Sequence, residues 1–266
     1  MASGSQVSGL SPMAASLLET GKWSDLEIKC KDRHWRVHKA IICLQSKPLA
    51  AAADGGFLES QTGTIDLSDH DPDVVNYMIQ FMYTGDYKVV PVPEAKESNV
   101  ESQAPVQAAV EIKKSREEAE KNLLVHTAVY MLGEEKDIAG LKALSTKRYE
   151  ALLPEVWNSE AFCQSLELIF EGTPASDRML WDVAIAHAGT HAKVLMDSGE
   201  FVTFWKKHGE IGYEMWKSYI KMTNLPAPPE LLKPTGCPDV GPEHARMVVK
   251  GRKTAFFCEG YRKAFD

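Results

Sequence analysis

The strongest constraint on how this chain folds is where its hydrophobic period changes. From Asp25 to Cys30 apolar and polar residues alternate, with Leu26, Ile28 and Cys30 on one face and Glu27 and Lys29 on the other. That is the period-two signature of a half-buried strand. Lys31-Asp32-Arg33 reads as a turn, and Trp35 and Val37 then alternate with Arg36 and His38 in a second strand, giving a β-hairpin. One more brief strand, Thr64 to Leu67, is predicted. Most of the remaining ordered chain carries the helical period. A few short strands among many helices make an α+β fold, in which a small sheet is covered by helices.

The helices are marked by their stripes and ends. A short helix is expected from Met13 to Leu18, stopped by Gly21. From Lys39 a helical stripe of Ala40, Ile41 and Leu44 stops before Pro48, and a second piece, Leu49 to Ala53, ends at Gly55-Gly56. The clearest helix follows Asp71. Asp71 is its cap, Pro72 suits the first helical position, Asp73 complements the dipole, and Gly85 ends it. Val74, Val75, Met78, Ile79 and Met82 form its stripe. Lys88 to Glu120 is rich in proline and charge and poor in large apolar residues, so it reads as a mobile insertion. Its last part, roughly Val106 to Lys121, is compatible with a charged helix. Beyond it, Leu124, Ala128, Met131 and Leu132 stripe one helix, and Ile138, Leu141, Leu144 and Leu152 another. After Pro154 come helical stripes at Phe162, Leu166, Ile169 and Phe170, at Leu180, Val183, Ala184 and His187, and at Ile211, Met215 and Tyr219, with Phe201, Phe204 and Trp205 on a short piece. From Leu225 six prolines rule out regular helix.

Composition narrows the function. The formal charge of −7 argues against a general nucleic-acid binder, which needs a basic face to displace counterions. Five scattered cysteines with no CxxC pair give no disulfide framework. Met1 to Pro12 is small and polar, unlike a secretory signal, and no apolar run approaches the ~20 residues of a spanning helix. The expectation is a cytoplasmic or nuclear protein with no membrane and no nucleic-acid partner.

The order of elements becomes specific in its residues. Ser24-Asp25-Leu26, Val37-His38-Lys39-Ala40, Gly56-Phe57-Leu58-Glu59-Ser60, Ile65-Asp66-Leu67 and Phe81-Met82-Tyr83-Thr84-Gly85-Asp86-Tyr87, in that order, resemble the BTB/POZ family, and most closely its short fungal-type proteins. Tyr130 to Leu132, Lys136-Asp137-Ile138 and Leu141-Lys142 resemble the closing helices of that fold. The resemblance implies a BTB/POZ domain at 14–153; composition adds a disordered N-terminus at 1–13 and a disordered insertion at about 88–120, where the family usually has a short connection. A helical extension at 154–224 and a Pro-rich irregular tail at 225–266 follow. The resemblance also implies a non-enzymatic protein-interaction module: a substrate adaptor of a cullin-type ubiquitin ligase, a self-associating scaffold forming BTB–BTB homodimers, or a co-repressor-type BTB protein. In the first case Phe57, Leu58 and Glu59 are the partner-binding residues, matching the hydrophobic-x-Glu pattern of cullin-binding members. In the last, Asp25 and Lys39 form the charged floor of a peptide groove, against the plainer reading that Asp25 only binds backbone. The long N-terminal helix that swaps in well-studied BTB dimers has at most a two-turn counterpart here.

Candidate chemistry is sparse. His187 and His191 are spaced to share a helix face, but the metalloprotease glutamate is replaced by Ala188. Cys237, His244 and Cys258 fall short of a four-ligand zinc set. There is no G-x-S-x-G elbow, phosphate-binding Gly-Lys loop or dinucleotide fingerprint. Cys30 and Cys43 lie on apolar faces, where cysteine acts as a small hydrophobe. The expectation is therefore no catalytic residue, no metal and no cofactor, with a metal-dependent enzyme in the helical extension as the remote alternative.

Overall fold

The computed structural model describes residues 11–56, 61–89, 104–197, 199–223, 245–250, 253–258 and 263–265. Its contacts divide the chain into Met1–Ser218 and Tyr219–Asp266. In the first unit, β1 (Leu26–Cys30) pairs antiparallel with β2 (Arg33–Val37) and parallel with β3 (Thr64–Asp66), in the order β2-β1-β3. The alternation is realised as read: Leu26, Ile28 and Cys30 are buried, while Glu27 and Lys29 are partly exposed. The hairpin turns through Lys31 at φ 55, a left-handed conformation.

Helix α1 (Ser11–Thr20) is longer than the two turns expected, and Gly21, at φ 59, closes it with an N–H donated to Leu17. After β2 the chain departs from the sequence reading. Helix α2 (Lys39–Ile42) is a single turn that buries Ile42, and Leu44 is 87% exposed. A stripe through Ala40, Ile41 and Leu44 needs a longer helix than this one. Pro48 does not end that helix but opens the next, α3 (Lys47–Asp54), capped by Ser46. Helix α4 (Pro72–Thr84) follows its signals: the Asp71 carboxylate accepts from the N–H groups of Asp73 and Val74, and all five stripe residues are buried. Gly85, at φ 72, terminates it as a left-handed cap.

Helix α5 (Ala104–Glu135) corrects the expectation of disorder from 104 onward and agrees with the charged helix allowed at Val106 to Lys121. Residues 90–103 lie outside the described residues. The packed half around Leu123, Val129 and Tyr130 supplies the nucleus, so each added turn needs only propagation. Lys113–Glu117 and Arg116–Glu120 ion pairs at i,i+4 support those turns, which are exposed from Lys113 to Glu118. Helix α6 (Ala139–Val156) then runs through Pro154, so the boundary expected at 153/154 falls inside a helix.

The extension consists of α7 (Glu160–Gly172), α8 (Met179–Thr190), α9 (Ala192–Leu195), α10 (Gly199–Lys207) and α11 (Gly209–Thr223). Phe162, Leu166, Ile169, Leu180, Ala184, Phe201 and Ile211 are buried. In the second unit, β4 (Ala245–Lys250), β5 (Lys253–Cys258) and β6 (Lys263–Phe265) form an antiparallel sheet where an irregular tail was expected. The prolines behind that expectation end at Pro242, so nothing in β4 to β6 lacks a ladder donor.

Candidate functional site

The seam between the sheet-containing core and the helical extension holds a buried polar network. Tyr130 comes from α5, Lys142 from α6, and Asp177 from the loop between α7 and α8. The Tyr130 hydroxyl lies 2.7 Å from both Asp177 carboxylate oxygens and accepts the Leu180 N–H at 3.3 Å. That N–H belongs to the first turn of α8, where helical donors have no partner within the helix. The Lys142 ammonium sits 3.1 Å from Asp177, pairs with Glu134, and lies 5.3 Å from the Tyr130 ring centre. The Asp177 and Lys142 side chains are only 7% and 14% exposed. Burial alone would lower the Lys142 pKa, but its bonds to Glu134 and Asp177 outweigh that and hold it above the ordinary value. Burial and the Asp177 contact push the Tyr130 phenol up. A buried carboxylate left without its partners is costly, so the network fixes the extension on the core.

The same seam forms a groove. Val74 of α4, Ala128, Met131 and Leu132 of α5, and Leu168 of α7 give it an apolar lining, with a volume of about 550 Å³. Asp69, Asp71, Glu134 and Glu135 also line it, with His70 3.4 Å from Glu135. Ala128 and Met131, expected as core stripe, are only partly buried because they face this groove, while Leu123, Val129 and Tyr130 take the core. Gly172 belongs to the wall: a Cβ there would meet the end of Met131 at 2.1 Å. A groove of this kind suits an extended or helical segment of another protein.

Comparison with known proteins identifies a domain in the first half of the chain. Residues 15–126 match the BTB/POZ domain. The chain carries a BTB/POZ domain. It is 40% identical to mouse Rabankyrin-5 over 80 residues, 29% of this chain and 6% of that protein, and 39% identical to human Rabankyrin-5 over the same length. It is 36% identical over 72 residues, 26% of this chain, to a BTB/POZ domain-containing protein of Arabidopsis thaliana, of which 9% is covered. The match thus spans less than a tenth of each relative. BTB/POZ domains are protein–protein interaction modules and generally not enzymes. Among the described residues no helix is long and apolar enough to cross a membrane.

The BTB core treats the sequence-predicted residues unequally. Asp25 accepts the backbone N–H of Lys39 at 2.8 Å and so secures the start of α2. The Lys39 ammonium turns instead to the Asp54 carboxylate at 2.9 Å and the Ala53 carbonyl at 3.3 Å, and the Asp54 hydrogen bond raises its pKa. The two residues meet through backbone, not as facing charges. Phe57, Leu58 and Glu59 lie outside the described residues. In the core, His38, 8% exposed, places Nδ1 2.7 Å from the Tyr83 hydroxyl and Nε2 2.7 Å from the Lys22 carbonyl. With Tyr83 also accepting the His38 N–H, the Nε2-protonated ring satisfies every bond.

His187 and His191 lie together, with ring centres 4.8 Å apart, but His191 stacks on Trp157 and its Nδ1 faces Thr190 Oγ1 and the His187 carbonyl. Burial, then His191, lowers the His187 pKa. The His187 Nε2 is buried without a hydrogen-bond partner. Burial likewise raises the pKa of the Cys30 and Cys43 thiols, which keeps them protonated and poorly nucleophilic. Cys237 and His244 lie outside the described residues, and Cys258 ends β5. Sequence reasoning missed Tyr130, Lys142 and Asp177, whose encounter across 47 positions leaves no local pattern. It also missed Glu167, Glu171 and His208, whose donor atoms all lie within 4.8 Å of one another.

Proposed function

We propose that this chain is a non-enzymatic adaptor that links a partner protein to a cullin-type ubiquitin ligase, with the core and the docked extension acting as one binding surface. The observation that carries the reading is the groove at their seam, whose wall residue Glu134 also pairs with Lys142 of the Tyr130–Asp177–Lys142 network. A freely tumbling extension would have no use for a buried ion network at its base. Phe57, Leu58 and Glu59 complete the proposed cullin contact, with the Phe57 ring as the kind of apolar anchor that dominates such interfaces. Titration calorimetry with the cullin N-terminal domain tests it. Wild type should bind, and Phe57→Ala should weaken binding roughly thirtyfold, about 2 kcal/mol, at an unchanged melting temperature. No heat from the wild type at tens of micromolar, on the order of a weak-affinity ceiling, refutes the adaptor reading.

Self-association is the second reading, favoured by Met13, Trp23 and Leu44, which are 80%, 83% and 87% exposed in the N-terminal part of the core. Singly exposed apolar side chains are ordinary on a monomer, so this reading requires the three to act as one patch between two copies. Light scattering should then report a dimer that Trp23→Ser weakens; a monomer at high concentration removes this reading. The arrangement of Asp25 and Lys39 supports a structural role for both, which leaves the co-repressor groove without a specific feature in its favour.

A further inference from the structure

Glu167 and Glu171 stand one turn apart on α7, and His208 joins α10 to α11 opposite them. The histidine is held in place. Its side chain is 9% exposed and packs against the rings of Phe204 and Phe170, with centres 5.0 and 6.1 Å away, and its Nε2 points at Glu167 from 3.1 Å. A cation already sits on the carboxylates: the Lys207 ammonium pairs with Glu167, and that contact raises the lysine and lowers the glutamate pKa. Lys207 is 66% exposed and ends its helix, so its long side chain can leave at little cost.

We propose that Glu167, Glu171 and His208 form a zinc site whose resident cation is the Lys207 ammonium. One imidazole and two carboxylates are a donor set that zinc accepts, with water completing its shell. Magnesium and calcium select oxygen donors and gain nothing from His208. The bound metal would tie α7 to the α10–α11 junction, as the ion pair does now. Lys207 sets the affinity by competition, which keeps the site weak.

Calorimetry of the metal-stripped full-length chain with Zn²⁺, together with Co²⁺ absorption spectra, tests this. One equivalent should bind. Glu171→Gln, which leaves both existing contacts of Glu167 intact, should weaken binding roughly tenfold or more, since even outer partners of metal ligands matter that much. Lys207→Ala should tighten it. The Co²⁺ spectrum should lack the charge-transfer band of thiolate ligands. No binding, binding indifferent to both substitutions, or a thiolate band that assigns the metal to Cys237 and Cys258 overturns the proposal. None of these outcomes bears on the cullin reading.

Discussion

Tyr130→Phe is the sharpest perturbation of the seam, because it removes one oxygen and leaves the ring packing in place. That oxygen donates to Asp177, accepts the Leu180 N–H, and is buried with both. A hydrogen bond to a charged group contributes about 1.5–3 kcal/mol, and the stranded N–H of a fully buried Leu180 adds on the order of 1 kcal/mol. The expected loss is therefore about 3 kcal/mol, a large share of the 5–15 kcal/mol that typical domains have in total. Urea denaturation should report it as a lower midpoint. Hydrogen exchange should localise it, with the amides of α8 opening more often and those of α4 unchanged. In a double-mutant cycle, Tyr130→Phe and Asp177→Asn should couple by about 1 kcal/mol or more, as groups sharing one network do. A loss below about 0.5 kcal/mol, the size of an ordinary surface effect, would refute the claim that this network docks the extension.

Other consequences are smaller but as specific. Burial, with a contribution from Arg148, lowers the His126 pKa from 6.5 to about 4, and its Nδ1 lies 2.9 Å from the Tyr87 hydroxyl. The unfolded chain therefore binds the proton first, so stability present above pH 6.5 falls with pH, by roughly 2.5 kcal/mol between pH 7 and 4.5. Denaturation at both pH values should show a loss of that size that is reduced in His126→Gln. Asp71→Ala should cost about 1 kcal/mol through the lost α4 cap, measured by thermal melting. Asp25→Ala should destabilise by a similar amount through the start of α2, whereas Lys39→Met should leave the melting temperature nearly unchanged.

What could be read in the sequence was what local rules control. The β1 alternation and the Asp71-Pro72 start and Gly85 end of α4 each act within a few residues, and each is realised. Leu44 failed because a stripe presumes a helix long enough to carry it, and α2 lasts one turn. In the insertion the charge pattern of Val106 to Lys121 allowed a helix, but composition does not show that this helix is continuous with the packed turns around Leu123. The seam network and the Glu167–His208 cluster were illegible for another reason: their members are brought together by helix packing and share no spacing. Ala128 and Met131 were visible as apolar periodicity, but only the position of α7 shows that they line a groove.

On the proposed reading, the core and the extension present one surface to a cullin. Hydrogen exchange of the full chain, alone and saturated with the cullin N-terminal domain, tests it most directly. Added protection is expected in two places together: the segment containing Phe57 to Glu59, and the groove walls around Met131 to Glu135 and Leu168 to Pro174. Protection confined to the BTB core, with the α7 wall exchanging as in the free chain, would contradict it.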